Sequence, residues 1–269
     1  MYLAVDIGGT KTLVASFTND GKLKEKQRFE TPKKYPDFLS KLSQTILLLK
    51  QQDFQATAVA APGKVNRDTG VVEAYGNRSW QNSPLKKDIH TITKTPVLIE
   101  NDANLAGLYE AILVKHKYKR VLYLTISTGI GTGIITNGVI DPEFQDSEGG
   151  HLLLQKNNKL IKWESLISGK AITERFGKMA KDINDKKTWE IITHDIARGV
   201  LDLIAIMQPD AIIIGGGVGV HFKKYEELLK AELKKYETPL TPTPVILQAQ
   251  SPEDAVIYGC YQLIKQNIK

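Results

Sequence analysis

The segment Asp6-Ile7-Gly8-Gly9-Thr10-Lys11 combines adjacent glycines with side chains that bind anions and cations. Two glycines in a row let backbone N–H groups turn toward an anion without a Cβ in the way. Thr10 adds a hydroxyl donor, Lys11 a positive charge, and Asp6 a hard oxygen ligand for Mg²⁺, directly or through water. The segment lacks the Gly-Lys-Ser/Thr ending of a P-loop. It predicts a phosphate-binding turn, with an ordinary hairpin turn as the alternative.

The segment Ser127-Thr128-Gly129-Ile130-Gly131-Thr132-Gly133 alternates glycines with other residues and offers hydroxyl donors at Ser127, Thr128 and Thr132. A dinucleotide-binding fingerprint would end in a glycine that opens a helix, whereas this segment returns as a strand. A second phosphate loop remains. Both Gly-Thr turns lie between predicted strands and precede another turn. The chain therefore contains either two similar lobes that hold a phosphate between them or two ordinary hairpins.

In Glu100-Asn101-Asp102-Ala103-Asn104 a predicted strand ends and a helix begins. Asp or Asn at such a position commonly caps the helix. The carboxyl end of a strand is also where α/β folds place their chemistry. A carboxylate at Asp102 could accept a hydroxyl proton during phosphoryl transfer, as an Asp does in protein kinases.

Two further segments could bind a ligand. In Glu148-Gly149-Gly150-His151, a carboxylate and an imidazole flank a flexible pair and could hold vicinal hydroxyls. A metal site is the alternative, but the other histidines lack metal-binding spacing and no thiol is near. The strand Ile212-Ile213-Ile214 leads into Gly215-Gly216-Gly217, which would admit a flat ligand or form a tight turn.

Short strands and helices must position these segments. Apolar runs ended by turn residues predict strands, and apolar residues at helical spacing predict helices. The predicted strands are 2–7, 13–17, 22–29, 56–61, 97–99, two within 121–135, 211–214 and 245–248. The predicted helices are 38–49, 101–114, 163–180, 188–208, 225–236 and 253–266.

Composition narrows the class of protein. The chain has 269 residues and a net charge of +6, and its 36 basic residues comprise 30 Lys and 6 Arg. Because Arg is preferred for bidentate phosphate recognition, the lysine excess indicates a solvated surface rather than a nucleic-acid interface. The single cysteine, Cys260, excludes an internal disulfide and a Cys-rich zinc site, and fits a reducing, cytoplasmic setting.

Membrane attachment is not expected. Residues 121–140 carry no charge, but half of them are Gly, Thr, Ser or Asn, so we interpret the stretch as a buried hairpin. The N-terminus has no basic region ahead of Asp6 and does not resemble a signal peptide.

The order of these motifs, with Pro62-Gly63 between the first and the Glu-Asn-Asp-Ala-Asn segment, resembles the ROK family of sugar kinases, repressors and open reading frames. The resemblance runs from Asp6 to at least Gly217. It implies an α/β protein with the two-lobed, actin-like ATPase (ribonuclease H-like) fold. The lobes would be residues 1–117 with 252–269, and residues 118–251.

The resemblance also implies roles. Asp102 would be the catalytic base toward the sugar hydroxyl, usually the 6-hydroxyl, and Asp6 would face Mg²⁺, through water. The residues implied to bind the hexose are Gly63, Asn77, Asn101, Glu148, His151 and Glu164. The residues implied to bind ATP are Gly8, Gly9, Thr10, Lys11, Thr128, Gly129, Gly131, Gly133, Gly215, Gly216 and Gly217, the last three near the adenosine.

The sequence departs from the family between His151 and Glu164, where most members carry cysteines that bind a structural zinc and this chain has none. We therefore expect no zinc. Without it, the family resemblance predicts less about the position of the loop 148–151, here called the sugar loop, and about the preferred sugar. The expected activity is ATP-dependent phosphorylation of a hexose, glucose first. Fructose, mannose or an N-acetylhexosamine as acceptor, and polyphosphate as donor, are alternatives.

A sugar sensor without catalysis is the remaining alternative, as in the family's repressors. Those proteins carry a DNA-binding helix-turn-helix ahead of the kinase-like part, and here the first phosphate motif begins at Asp6. The expected partners are therefore a hexose and a nucleotide, with no nucleic acid and no membrane. Homodimers are common in the family.

Overall fold

The structure is a computed structural model and describes residues 1–75 and 80–268. Its strands are β1 (Tyr2–Ile7), β2 (Lys11–Phe17), β3 (Leu23–Glu30), β4 (Ala56–Ala61), β5 (Lys64–Asn66), β6 (Val71–Ala74), β7 (Gln81–Ser83), β8 (Val97–Asn101), β9 (Arg120–Ile126), β10 (Ile130–Thr136), β11 (Val139–Ile140), β12 (Leu153–Lys156), β13 (Lys159–Lys162), β14 (Ala211–Gly215) and β15 (Val245–Gln248).

The helices are α1 (Tyr35–Leu47), α2 (Leu85–Thr93), α3 (Asp102–Val114), α4 (Glu164–Ile167), α5 (Gly169–Phe176), α6 (Lys186–Met207), α7 (Gly216–Gly219), α8 (Glu226–Lys234) and α9 (Ala255–Asn267). Short 3₁₀ turns cover Gly149–His151, Ala180–Asp182 and Phe222–Lys224. Residues 1–109 with 253–269 form one compact unit, and residues 110–252 form the other.

The first unit is built on a sheet with the strand order β3-β2-β1-β4-β8. The first three strands are antiparallel, whereas β1, β4 and β8 run parallel. The central strand β4, Ala-Thr-Ala-Val-Ala-Ala, is buried throughout, as expected of a parallel strand covered on both faces. Because β1 and β8 are parallel, their carboxyl ends meet at the same edge of the sheet.

The second unit repeats this plan with the strand order β11-β10-β9-β14-β15, in which β9, β14 and β15 are parallel. The hairpin between β10 and β11 turns at Asn137 and Gly138, both at positive φ, as the Asn-Gly pair predicts. The two sheets confirm the internal repeat suggested by the two Gly-Thr turns.

The core of the second unit surrounds α6, whose capping Asp185 accepts a hydrogen bond from the backbone N–H of Thr188 at 2.9 Å. Trp163 is fully buried against α6. A Cβ at Gly199, in the middle of α6, would lie 2.3 Å from the Trp163 ring. A glycine inside a helix lowers helix stability by about 1 kcal/mol relative to alanine. The close approach of the Trp163 indole explains why glycine occupies this position.

The predicted helix 163–180 is wrong as a single element. It is broken at Ser168, whose extended backbone separates α4 from α5 and whose hydroxyl caps α5 by accepting from Ala171 N at 3.2 Å. Gly177, at φ 67°, ends α5. Downstream, the polar segment 178–185 contains only a 3₁₀ turn before α6 begins.

The hairpin β12–β13 was missed by the sequence patterns. Its turn residues Asn157 and Asn158 have φ of 50° and 57°, the left-handed conformation that asparagine tolerates. The Asn-Asn pair between two short apolar runs was the available signal. No helix in the described part of the chain is long and apolar enough to cross a membrane.

Candidate active site

The turn from β8 into α3 positions Asn101 and Asp102. The Asn101 side chain caps the helix, because its Oδ1 accepts from Ala103 N at 2.8 Å and from Asn104 N at 3.3 Å. Its Nδ2 donates to the carbonyl oxygen of Gly63 at 3.2 Å, across from the end of β4. The Oδ1 of Asp102, the first residue of α3, also accepts from Ala103 N at 2.8 Å. Both side chains therefore contact the start of the helix, and Asp102 is the candidate for proton transfer.

A buried ion pair supports this turn. Glu100 is 4 % exposed and accepts from Arg67 Nε at 2.7 Å and from Arg67 Nη2 at 2.6 Å. Its Oε1 also accepts from the backbone N–H of Asn101 and from the Asn104 side chain. The sequence patterns did not single out Arg67, since the pair spans 33 positions of sequence.

Asp6, at the carboxyl end of β1, shares an electrostatic environment with Asp102. Burial and, to a smaller extent, the negative charge of Asp102 raise the pKa of Asp6 to about 7, and Arg28 opposes the shift. Two carboxylates that repel each other at one sheet edge suit a divalent cation, which would stabilise the ionised form of both. Asp6 is therefore the candidate oxygen ligand for Mg²⁺ at this edge.

The first glycine turn connects β1 to β2. Gly8 N donates to the carbonyl oxygen of Lys11 at 3.0 Å, and the Thr31 hydroxyl donates to the carbonyl oxygen of Gly8 at 3.0 Å. Gly9, Thr10 and Lys11 are exposed at the tip. Thr31 therefore holds the turn at Gly8, and the tip of the turn is exposed where a ligand could reach it.

The second glycine segment connects β9 to β10. Ser127 and Thr128 are exposed at the turn and Gly129 is partly exposed, whereas Gly131 and Gly133 lie within β10 opposite Thr125 and Tyr123. Thr132 is buried, and its hydroxyl donates to the carbonyl oxygen of Ser147 at 3.2 Å and accepts from Gly149 N at 3.1 Å. The prediction that Thr132 offers a free hydroxyl donor at this loop is therefore wrong, because that hydroxyl holds the neighbouring loop.

The loop Glu148–His151 packs directly on β10. A Cβ at Gly150 would lie 2.4 Å from the carbonyl oxygen of Ile130, so only glycine allows this approach. His151 Nε2 lies 3.5 Å from Glu164 Oε1, and Lys162 Nζ lies 3.4 Å from the same nitrogen. The fold thus brings together two residues predicted to bind the sugar, His151 and Glu164.

Glu148 belongs to the same cluster. Desolvation of its carboxylate raises the pKa of Glu148, although the residue as a whole is exposed; His151 opposes the shift, and Glu164 adds to it. Three groups that accept or donate hydrogen bonds therefore face one region of the second unit, as polyhydroxyl recognition requires.

A second buried carboxylate supports Glu164. Asp195, on α6, is 4 % exposed and accepts from Arg175 Nη2 at 2.8 Å, with Lys156 Nζ at 3.5 Å. Arg175 also donates to the carbonyl oxygen of Leu166 in α4, the helix that Glu164 begins. The indole N–H of Trp163 donates to the carbonyl oxygen of Asp195 at 2.8 Å. The sequence patterns missed both Arg175 and Asp195.

The third glycine segment follows β14. Gly215 is buried, Gly216 has φ 79° with the carbonyl oxygen of Ile126 2.6 Å from the position of a Cβ, and Gly217 is exposed with nothing within 4 Å of such an atom. Gly216 therefore makes the turn, and Gly217 presents bare backbone at the surface. Ile212 to Ile214 form the predicted strand.

Of the other predicted sugar ligands, Gly63 has φ 96° and holds the Asn101 amide, and Asn77 lies outside the described residues. In residues 1–75 and 80–268, no three His, Cys, Asp or Glu side chains cluster in a way that could hold a metal ion. Cys260 is buried under β1 and β4, and burial raises the pKa of its thiol well above its ordinary value.

The sequence of the chain is similar to those of known proteins along nearly its whole length. The ROK family model matches residues 2–267. An N-acetyl-D-glucosamine kinase of Histophilus somni (strain 129Pt) is 28 % identical over 98 % of this chain and 98 % of its own length. A glucokinase of Thermotoga maritima is 24 % identical over 99 % of this chain and 98 % of its own.

Among solved structures, a ROK family glucokinase from Streptomyces griseus in complex with glucose and AMPPNP superposes with a TM-score of 0.84. It is 22 % identical and the match covers 99 % of each chain. The fold is therefore the α/β, actin-like ATPase fold of these kinases. The chain belongs to the ROK family, and within it to the sugar kinases.

Proposed function

We propose that this sugar kinase transfers the γ-phosphoryl group of ATP to the 6-hydroxyl of a hexose, with glucose as the first candidate. The observation that carries the proposal is the edge of the first sheet, where Asp102 begins α3 beside Asn101 and lies near enough to Asp6 to raise the pKa of that carboxyl. A carboxylate held at the start of a helix, at the edge where parallel strands end, is suited to accept a proton from a sugar hydroxyl.

The remaining binding roles are proposed for residues of each lobe in turn. The lobe expected at 1–117 with 252–269 supplies the base Asp102, the sugar ligands Asn101, Gly63 and Asn77, and the phosphate turn Gly8 to Lys11. Asp6 is the residue that would hold Mg²⁺, directly or through water. The ion would neutralise charge on the transferred phosphoryl group. The effect of the Asp102 charge on the pKa of Asp6 supports this assignment, because it places the two carboxylates near each other.

The lobe expected at 118–251 supplies the other ligands. Glu148, His151 and Glu164 would bind the sugar hydroxyls, since two carboxylates and an imidazole provide acceptors and one adjustable donor. Thr128, Gly129, Gly131 and Gly133 would bind the other phosphates, and Gly215 to Gly217 the adenosine. The bare backbone at Gly217 supports close approach of a flat ring.

The experiment is a coupled ADP-release assay across glucose, fructose, mannose, N-acetylglucosamine and N-acetylmannosamine, with polyphosphate compared as donor by detecting the sugar phosphate. We expect turnover with ATP, Mg²⁺ and at least one hexose, glucose being tested first. Turnover with polyphosphate but not with ATP would show that polyphosphate is the phosphoryl donor. Sugar binding without product from either donor would favour the sensor alternative and contradict the proposal.

A further inference from the structure

The ion pair Arg67–Glu100 is built to fix an orientation. The planar guanidinium donates through Nε and Nη2 to the two oxygens of Glu100 at 2.7 and 2.6 Å, so the plane of the carboxylate is set as well as its position. Glu100 is 4 % exposed, and Arg67 reaches it from the connection between β5 and β6.

The oriented carboxylate in turn holds the catalytic turn. Glu100 Oε1 accepts from the backbone N–H of Asn101 at 2.6 Å and from Asn104 Nδ2 at 2.9 Å. These donors flank Asp102 on both sides along the chain. A rotation of the Glu100 carboxylate would therefore displace the peptide before Asn101 and the first turn of α3 together.

The segment that carries Arg67 contacts the turn at a second point. Gly63, just before β5, accepts from Asn101 Nδ2 at 3.2 Å. The segment 63–67 thus binds the turn through a backbone carbonyl at one end and a guanidinium at the other. Two contacts from one short segment restrict rotation of the turn as well as translation.

We propose that Arg67 is a positioning residue for phosphoryl transfer, which acts through Glu100 to align Asp102 and Asn101 with the sugar hydroxyl. The proposal rests on the proposed function, because alignment matters only if Asp102 is the base. Arg67 itself touches no substrate in this scheme. A misplacement of a reacting group by about 1 Å can cost about 100-fold in rate, so an indirect residue can have a large effect.

The experiment compares Arg67→Met and Arg67→Lys with Lys64→Met. The control removes the ion pair between Lys64 Nζ and Glu73 at 3.1 Å, on the same small sheet, and leaves Glu100 untouched. We expect Arg67→Met to lower kcat about 10- to 100-fold with an unchanged KM for ATP. Arg67→Lys should recover only part of kcat, because an ammonium cannot bind both oxygens in the fork. Lys64→Met should match wild type.

A double variant, Arg67→Met with Glu100→Gln, separates positioning from stability. Arg67→Met alone leaves a buried carboxylate without its arginine and should lower Tm, whereas the double variant removes that charge and should recover most of Tm. Under the proposal kcat stays at least about tenfold low in the double variant, because the fork is still absent. Recovery of kcat together with Tm would show that Arg67 acts through stability alone and would overturn the proposal.

Amide hydrogen exchange at residues 101–104, measured without substrates, gives a readout independent of activity. Exchange should be faster in Arg67→Met than in wild type and unchanged in Lys64→Met. If the wild-type protein phosphorylated no hexose, the proposed function would fail on that result. The exchange result would still decide whether Arg67 holds the turn, and equal exchange in all three proteins would overturn the positioning role.

Discussion

The two glycine turns occupy the same place in two sheets of the same strand order, yet they are held differently. The β1–β2 turn is fastened by Thr31, which follows the adjacent strand β3, and leaves Thr10 exposed. The β9–β10 turn is fastened by Gly169, the first residue of α5. Its backbone N–H donates to the carbonyl oxygen of Ser127, with an N to O distance of 2.6 Å.

The threonines differ in the same way. Thr10 lies at the tip of its turn, whereas Thr132 lies inside β10 and holds the loop that carries Glu148 and His151. One unit therefore places carboxylates, Asp6 and Asp102, at its sheet edge, and the other anchors on its sheet the loop that we propose to bind the sugar. The two sheets therefore share a strand order, but the segments packed against each turn decide which groups that turn exposes and which it holds.

The largest expected effect tests whether the chemistry lies in the first unit. Asp102→Asn should lower turnover by about 100-fold or more, the usual scale for loss of a general base, and leave the Kd for sugar nearly unchanged. Steady-state kinetics and calorimetric sugar binding measure the two quantities. Glu164→Gln is the matched control in the second unit and should raise the sugar KM more than it lowers kcat. Near-normal turnover in Asp102→Asn would leave that carboxylate without a catalytic role.

Asp6→Asn tests the electrostatic side of the comparison. The folded-state pKa of Asp6 is raised from 3.8 to about 7, so the folded protein binds this proton more tightly and its stability falls as pH rises from about 4 to 7. The neutral variant should avoid this loss and gain stability at pH 8 by up to about 4 kcal/mol without Mg²⁺, while activity falls. Thermal melts at pH 4 and pH 8 provide the check, and an equal change in Tm at both would contradict it.

Gly150→Ala tests the anchoring of the sugar loop in the second unit. The added Cβ would meet the carbonyl oxygen of Ile130 at 2.4 Å, so the loop must shift. We expect a loss of about 1–3 kcal/mol in the free energy of unfolding and a raised KM for the sugar. Gly217→Ala, where nothing lies within 4 Å, is the control for stability. Equal destabilisation by both changes would argue against a tight loop contact.

Thr132→Val and Thr10→Val compare the two turns directly. Thr132→Val leaves Gly149 N without its hydroxyl acceptor, which should cost about 1–3 kcal/mol and raise the sugar KM. Thr10→Val should leave stability within about 0.5 kcal/mol, as at other surface sites, and raise the KM for ATP. Urea unfolding and substrate titrations distinguish them. The comparison between the turns would be broken if both variants weakened the same substrate.

The smallest expected effect concerns zinc. The stretch between His151 and Glu164 contains no cysteine, and the hairpin β12–β13 fills it. Elemental analysis of the purified protein should find no stoichiometric zinc, and a zinc-selective chelator should leave activity unchanged while Mg²⁺ is still required. One zinc per chain would mean that the loop Glu148–His151 is held by a metal as well as by Thr132.

The sequence by itself determined many of the local elements and the order of the site segments. Asn137-Gly138 predicted its hairpin because both residues tolerate positive φ, and β4 was recognisable because a strand buried on both faces is continuously apolar. The motif order also pointed to the family, which the match over residues 2–267 shows. These features depend on neighbouring residues, and so they can be read along the chain.

Only the tertiary structure decided which side chains hold the site. Arg67 meets Glu100 across 33 positions, and Arg175 meets Asp195 across 20, so no local spacing links them. Thr132 illustrates the same limit. The glycines around it suggested a hydroxyl donor for a phosphate, whereas a loop 15 to 17 residues later accepts from that hydroxyl and donates to it. Contacts between distant segments depend on packing, and a buried polar group finds its partner only when the chain has folded around it.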